Sequence, residues 1–440
     1  MKKSIKSIAA AAAALTMALS CVPAVYSVSD VPAVQAEEES AVKYEFTEGK
    51  TVQVPYHGLA MFTDDDGTTY YMAGESGGSS IFTLDENGRV KNSYNVESYA
   101  DDNGEMITGG GDIELKQCGD YLYLTYFEYS GSWYWSTKKN NVIVKLDKEL
   151  NEIAKYNHER KARSIDTNGE KAVYIKGNSI YVCDIDGKNK KLLYSVDNSN
   201  NDEPYEQPLN SVAIAGNYVG FQKRTGFQNE SDQKAYCGII DIETGKITLH
   251  EQRSVEQVFS SNGNLVWYGN DGYDPDPEGT LNNVSSDVFK EGGAAVDNYF
   301  MSRYEYYDDS EIYVFDGENY SVIKSPDTQE QGYNVIIDNE GNRITTSYDG
   351  KGNQTYRIYS DGELIDELTV NYKGSGKIVA NGGVLTICYD ERTPSSEDWV
   401  GWVDGTPKEE VDAMIAEQAE RAAKIREEYP MKSVTYTYKS

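Results

Sequence analysis

Gly177-Asn178-Ser179-Ile180-Tyr181-Val182-Cys183-Asp184-Ile185-Asp186-Gly187 decides the fold. A Gly-Asn pair marks a tight turn, an apolar run of strand-forming residues follows, and Asp-Gly marks a second turn. The same phrase recurs along the chain. Strands end in an aspartate turn at Asp85 (to Gly88), Asp147, Asp186-Gly187, Asp241 (to Gly245), Asp316-Gly317 and Asp361-Gly362. Gly119-Asp120, Gly216-Asn217 and Gly263-Asn264 repeat the opening turn, and each precedes a short strand such as Tyr121–Leu124 or Leu265–Tyr268. Repeats of roughly 40–50 residues, each a small antiparallel meander, are the mark of a β-propeller. A sandwich would supply the strands without the repeating unit.

The spacing predicts an all-β chain of seven blades. They begin near 57, 106, 160, 208, 254 and 331, and the last is built from 377–389 and Val434–Tyr438. That last unit lacks outer strands. The segments Tyr44–Phe46 and Thr51–Val54 supply them, which would close the ring by joining the two chain ends and remove open sheet edges. Six or eight blades fit the same strands if the insertion near 270–300 is read differently. One amphipathic helix is expected at about 407–428, with Thr406 and Glu409 as a capping box and Pro407 at its first position. It belongs to a second insertion, near 395–430.

Residues 1–36 read as a secretory signal peptide: Lys2, Lys3 and Lys6, then an apolar core at 8–19 too short to span a bilayer, then Val34-Gln35-Ala36 as the cleavage site. A lipid anchor on Cys21 is the lesser reading. The expected product is a single propeller domain, 37–440, secreted or displayed at the cell surface. It is not integral to a membrane, and it is monomeric. With 72 acidic against 41 basic residues the net charge is −31, which disfavours nucleic acid and anionic lipid as partners. Cys118, Cys183, Cys237 and Cys388 would allow two disulfides, but Cys183 and Cys388 sit in strand patterns, where Cys packs as a small apolar residue.

Ile180–Leu193 also resembles the repeat of TolB-type and YWTD-type propellers, in which a strand ending in Asp-Gly is followed by polar and basic residues and a Leu. It is similar, too, to extracellular propellers of anaerobic Gram-positive bacteria. The resemblance is good for one blade and partial elsewhere, and the chain contains no Tyr-Trp-Thr-Asp motif. It implies the fold, and binding of protein or glycan rather than catalysis. It transfers no functional residue.

The chemistry-bearing motifs are sparse. His57, His158 and His250 are scattered, which argues against a zinc site or a histidine-based triad. Gly109-Gly110-Gly111 lacks the Lys and Ser/Thr of a phosphate loop. A glycoside hydrolase or lyase would need two carboxylates at the central channel, for which Asp112, Glu114, Asp166, Glu206 and Glu256 hold pre-strand positions. Asp274, Asp276 and Glu278 alternate like half of a calcium loop, but the second half departs from that pattern. The cluster Tyr126, Phe127, Tyr129, Trp133, Tyr134 and Trp135 stands out, with Trp399 and Trp402 as a second pair. Flat rings beside Ser and Gly suit sugar or protein contacts, and they equally suit wedge-filling between blades. The expectation is a non-catalytic binding propeller using Tyr129, Trp133, Tyr134, Trp135, Trp399 and Trp402. A carbohydrate-active enzyme and a structural scaffold of an envelope complex are the alternatives. No cofactor is expected beyond calcium.

Overall fold

The structure is a computed structural model. It describes residues 46–438 except 76–77, 102, 105, 131–136, 197–207, 226–233, 253–254, 256, 262, 270–310, 325–333, 339–341, 349–352, 361–362, 372–375, 390–413, 415–416, 418–419 and 422. The chain divides into two units, 1–41 and 42–440, of which the first lies outside the described residues. Among the described residues no helix is long and apolar enough to cross a membrane.

Among the described residues seven antiparallel sheets follow one another along the second unit, and the fold is a β-propeller. Sheet 1 runs from Leu59–Thr63 to Val90–Glu97, sheet 3 from Ile165–Thr167 to Lys191–Ser195, and sheet 4 from Leu209–Ala215 to Ile247–Gln252. Sheet 5 runs from Gln257–Ser261 to Tyr320–Lys324, and sheet 6 from Asn334–Ile337 to Glu363–Asn371. Each of these is a four-stranded meander in chain order. Sheet 2 has five strands, because the short Tyr99–Ala100 precedes Met106–Cys118, Tyr121–Ser130, Thr137–Leu146 and Glu152–His158. Sheet 7 is Gly376–Asn381, Val384–Tyr389 and Lys432–Thr437, completed by Thr47–Glu48 and Val52–Gln53. Both N-terminal strands lie on the C-terminal one, with Thr47 opposite Thr437 and Val52 opposite Ser433. The ring is therefore closed by the two chain ends, as the sequence predicts.

Burial explains why the sheets stand side by side. The central strands of sheets 1 to 5 and 7 bury residues on both faces, and the buried clusters lie between neighbouring sheets. Ile81, Val96, Leu115 and Val142 fill the space between sheets 1 and 2, and Ile175, Ile214 and Phe221 that between sheets 3 and 4. Ala60, Phe82, Val379 and Cys388 join sheet 7 back to sheet 1. No disulfide joins the four described cysteines, and Cys183, Cys237 and Cys388 are buried.

The recurrent aspartates act locally. Asp85, Asp241 and Asp316 each accept backbone N–H groups two to four residues ahead, closing the turn into the outer strand. Protonation would cost those bonds, and all three carboxyls are held below the usual aspartate range by these backbone donors. Gly119 and Gly216 occupy the opening turns at φ 60° and 52°, where a β-carbon would be strained. The outer strands of sheets 1, 2, 3 and 6 each contain a register shift near their start, a bulge that spoils pairing with a stranger.

The helix is present at 414, 417, 420–421 and 423–428, mostly exposed, with Met414 and Ile425 half-buried. Its i,i+4 pairs are Glu417–Arg421 and Glu420–Lys424.

Candidate functional site

Connection lengths separate the two ends of the sheets. At one end lie the turns joining first to second and third to fourth strands, and none exceeds six residues. At the other end lie the second-to-third connections, which reach six residues at 131–136, eight at 226–233, 41 at 270–310 and 42 at 390–431. The linkers between sheets leave from this same end, so it is one face of the ring. In sequence, Trp133–Trp135, Asp274–Glu278 and Trp399/Trp402 fall between the second and third strands of sheets 2, 5 and 7. Those residues lie outside the described ones. Tyr129 is described: it is half-buried near the end of Tyr121–Ser130, opposite Thr108 and Lys138, its ring 6.1 Å from Phe127.

Sheet 2 is built to reach outward on that face. Its three long strands have 13, 10 and 10 residues, whereas first strands elsewhere have three to seven. Two register shifts between Gly109 and Glu114 bend the longest one. Gly109 is required there, since a β-carbon would come 2.6 Å from Val96 Cγ1 of sheet 1. This gives Gly109 a packing reason without any phosphate-binding role. Near the extension, Met106 and Tyr99 are 57% and 44% exposed.

Beneath Tyr99 sits Glu128, only 3% exposed, whereas Met106 precedes the Ile107 that pairs with Tyr99 and so stands on the opposite face of the strand. Its Oε2 accepts from the Tyr99 hydroxyl at 3.1 Å and from Asn140 Nδ2 at 2.8 Å, and Lys155 Nζ stands 3.5 Å from Oε1. Burial raises the Tyr99 phenol pKa, and the Glu128 charge adds to it, so the phenol stays protonated and donating. Burial opposes the Lys155 charge, but Tyr126 and Glu128 outweigh it and keep the ammonium. The result is a satisfied polar frame under an exposed aromatic ring. Such a surface can bind a ring or an apolar side chain. It offers no spare base.

The inner strands carry a second cluster. Lys116 of sheet 2 donates to Asp166 Oδ1 of sheet 3 and, at 2.7 Å, to Ser260 Oγ of sheet 5. Ser260 donates at 2.7 Å to Asp166 Oδ2, which also receives the Ile214 N–H of sheet 4 at 2.8 Å. Four sheets thus meet in one network. A serine beside a lysine suggests an activated nucleophile, but the charges forbid it. Burial opposes the Lys116 charge, yet Asp166 outweighs it and the pKa is raised, so the amine is not free to act as a base. Asp166 was an expected channel carboxylate. Its oxygens are taken by these three donors. Glu114 is half-buried one pleat away; Glu206 and Glu256 lie outside the described residues, as does the Asp112 side chain.

A third cluster lies at the short-turn end. The carboxylates of Asp64, Asp65 and Asp66 come within 4.8 Å of one another. Lys148 of sheet 2 lies among them, pairing with Asp66, 2.7 Å from Asp65 Oδ1 and 3.8 Å from Asp64 Oδ2. The ammonium stands among these carboxylates, and Asp64–Gly67 belongs to the turn between Leu59–Thr63 and Thr69–Glu75.

Sequence reasoning missed Lys116, Ser260, Tyr99, Met106 and Glu128. The signal for Lys116 was present: a lysine in Ile113–Cys118, whose alternate residues Ile113 and Leu115 are buried. Nothing local announces its partners, 50 and 144 positions away.

No family model matches the chain, and no curated protein matches it. Among solved structures, BamB from Moraxella catarrhalis aligns over 78% of this chain and 96% of that one, at 11% identity and a TM-score of 0.38. A chain of the Mitotic Checkpoint Complex aligns over 83% and 95%, at 11% and 0.38. The β-propeller domain of the Trilobed protease from Pyrococcus furiosus aligns over 65% and 80%, at 11% and 0.36.

Proposed function

We propose that this protein is an exported, non-catalytic binding propeller that recognises a glycan or a protein with the face carrying its long connections, centred on sheet 2. One observation carries the reading. The longest strands in the ring end on that face, where Tyr99 stands exposed over a buried, hydrogen-bonded Glu128 and Met106 is exposed on the opposite side of the same strand pair. Rigid aromatic and Met side chains are the groups that anchor interfaces. The occupied oxygens of Asp166 and the charged Lys116 favour binding over catalysis at the axis.

The test uses residues 37–440 on a glycan array and in a parallel hydrolysis screen, with and without calcium. Tyr99→Ala plus Met106→Ala, and separately Trp133→Ala plus Trp135→Ala, should each weaken the bound ligand at least about tenfold. Unchanged affinity in both variants removes this face as the site. Product release in the hydrolysis screen would favour the carbohydrate-active enzyme instead.

A further inference from the structure

The outermost strand of sheet 7 is not continuous with the rest of that sheet in sequence. It is a strap of nine residues, Phe46–Val54, that pairs with Lys432–Thr437 about 380 positions away. Its two strands are two residues each, and most of the strap is exposed or half-buried. What holds it is a small set of matched contacts. The Phe46 N–H donates to Asp366 Oδ2 of sheet 6 at 2.9 Å, and the Phe46 ring meets Tyr436 and Tyr438 edge-on at 6.2 and 6.3 Å. The Gly49 N–H donates to the Thr435 carbonyl at 2.7 Å. A β-carbon at Gly49 would stand 2.9 Å from that same oxygen, so the approach needs glycine. Val54 closes the far end, buried, with its N–H on the Met431 carbonyl at 2.8 Å.

The chain then turns sharply into sheet 1 through Pro55-Tyr56-His57-Gly58. Tyr56 adopts φ 57°, ψ 19°, a left-handed conformation that an aromatic residue enters only under constraint, and its side chain is 62% exposed. The strain therefore sits in a short hinge between the strap and the body of the ring. Opening that hinge would release it, because an extended Tyr56 has φ below zero. It would also free the strap to lie on the same groove of another copy. Every strap contact would be remade there, since the groove is identical; only the hinge would differ. Short strained hinges are the usual origin of exchanged elements.

We propose that the Phe46–Val54 strap exchanges between two copies of this chain, so that in the dimer each sheet 7 is completed by its partner's strap. The occupant is specified by the groove: an aromatic residue, glycine three positions on, and an aliphatic residue five further. The chain's own strap meets this requirement. Hinge strain favours the exchanged form and the cost of association opposes it, so exchange rises with concentration.

Gln53 and Lys432 stand directly opposite each other, which gives the test. Full-length Gln53→Cys and Lys432→Cys chains are mixed at high concentration, incubated and oxidised, with each variant mixed with unmodified chain as control. The expected result is a disulfide-linked heterodimer in the variant mixture and not in the controls. A chain carrying both substitutions, kept dilute, should lock as a monomer. Adding Tyr56→Gly to both single variants should lower the heterodimer yield roughly tenfold, since glycine is at ease in the left-handed region at both hinges. No heterodimer, with the double variant locked, overturns exchange. Failure of the double variant to lock overturns the strap's position. A yield unchanged by Tyr56→Gly overturns hinge strain as the driving force.

Discussion

Lys116 with Asp166, near the axis, and Lys148 with Asp64, Asp65 and Asp66, at the short-turn end, are both lysines among carboxylates, yet they differ in kind. The side chains of Lys116 and Asp166 keep 15% and 11% of their surface, whereas Lys148, Asp65 and Asp66 keep 29%, 50% and 67%. Near the axis every oxygen of the carboxylate is assigned to a donor from a different sheet. At the rim, two of the three carboxylates face solvent. Coulomb attraction is screened at the rim and the side chains are free to move, so each exposed pair contributes little. At the axis the charges are already out of water, and each depends on the other. The difference teaches that the axial network fixes how four sheets stand, while the rim cluster only ties a turn of sheet 1 to one of sheet 2.

The largest expected effect breaks the axial network. Asp166→Ala leaves the Lys116 ammonium, Ser260 hydroxyl and Ile214 N–H without their common acceptor. A loss of about 3–5 kcal/mol is expected, the cost of removing one partner of a buried ion pair. Urea denaturation would show it as a lower midpoint at unchanged slope. A loss below about 1 kcal/mol would mean the axis is wet enough to solvate Lys116, and the contrast with the rim would disappear.

A smaller effect comes from the buried member of the rim cluster. Asp64 accepts the Asp66 and Thr68 N–H groups at 3.0 and 2.9 Å and the Tyr70 hydroxyl at 3.1 Å. Asp64→Ala should cost about 1–3 kcal/mol, the range for leaving buried donors unmade. Its pH dependence has a distinctive sign. Burial raises the Asp64 pKa above 3.8, and this outweighs its hydrogen bonds and Lys148. A carboxyl raised on folding favours the native state below its unfolded pKa, and that advantage is lost as pH rises through the folded value. Asp64→Asn should therefore flatten the acid side of the stability curve; a curve unchanged in shape would mean the carboxyl titrates normally.

The ring itself was legible because its signals are local. Gly119, Gly177 and Gly216 announce turns whose backbone only glycine enters easily, and Asp85, Asp241 and Asp316 announce turns by bonding their own neighbours. Closure by the chain ends was legible for a different reason: sheet 7 lacked an outer strand, and the N-terminal residues offered one. The candidate site was legible only in part. Tyr129 belongs to an aromatic cluster that any reading would notice. Tyr99 is set over Glu128 only through its pairing with Ile107, and the pairing of Ala100 with Met106 leaves Met106 on the other face. Glu128 looks like one of 72 acidic residues until the fold buries it beneath Tyr99 and beside Asn140. Strand pairing, rather than anything in their own chemistry, singles these residues out.

Lys148 itself should contribute least. Lys148→Met removes the rim cation but keeps its aliphatic stem. The expected loss is at most about 1 kcal/mol near neutral pH, shrinking as salt is added. Its pH dependence follows from Asp65. Partial burial works against that carboxylate, but the hydrogen bonds from Lys148 and Gln117 prevail and hold its pKa below 3.8. A carboxyl lowered on folding stabilises the native state above its unfolded pKa, and the contribution fades as pH falls through the folded value. The gap between native protein and Lys148→Met should therefore be open at pH 6 and close in acid below 3.8, opposite in direction to the Asp64 contribution. Thermal melts at both pH values, with and without added salt, would measure it. A gap of several kcal/mol that ignores salt would make the rim cluster the equal of the axial one.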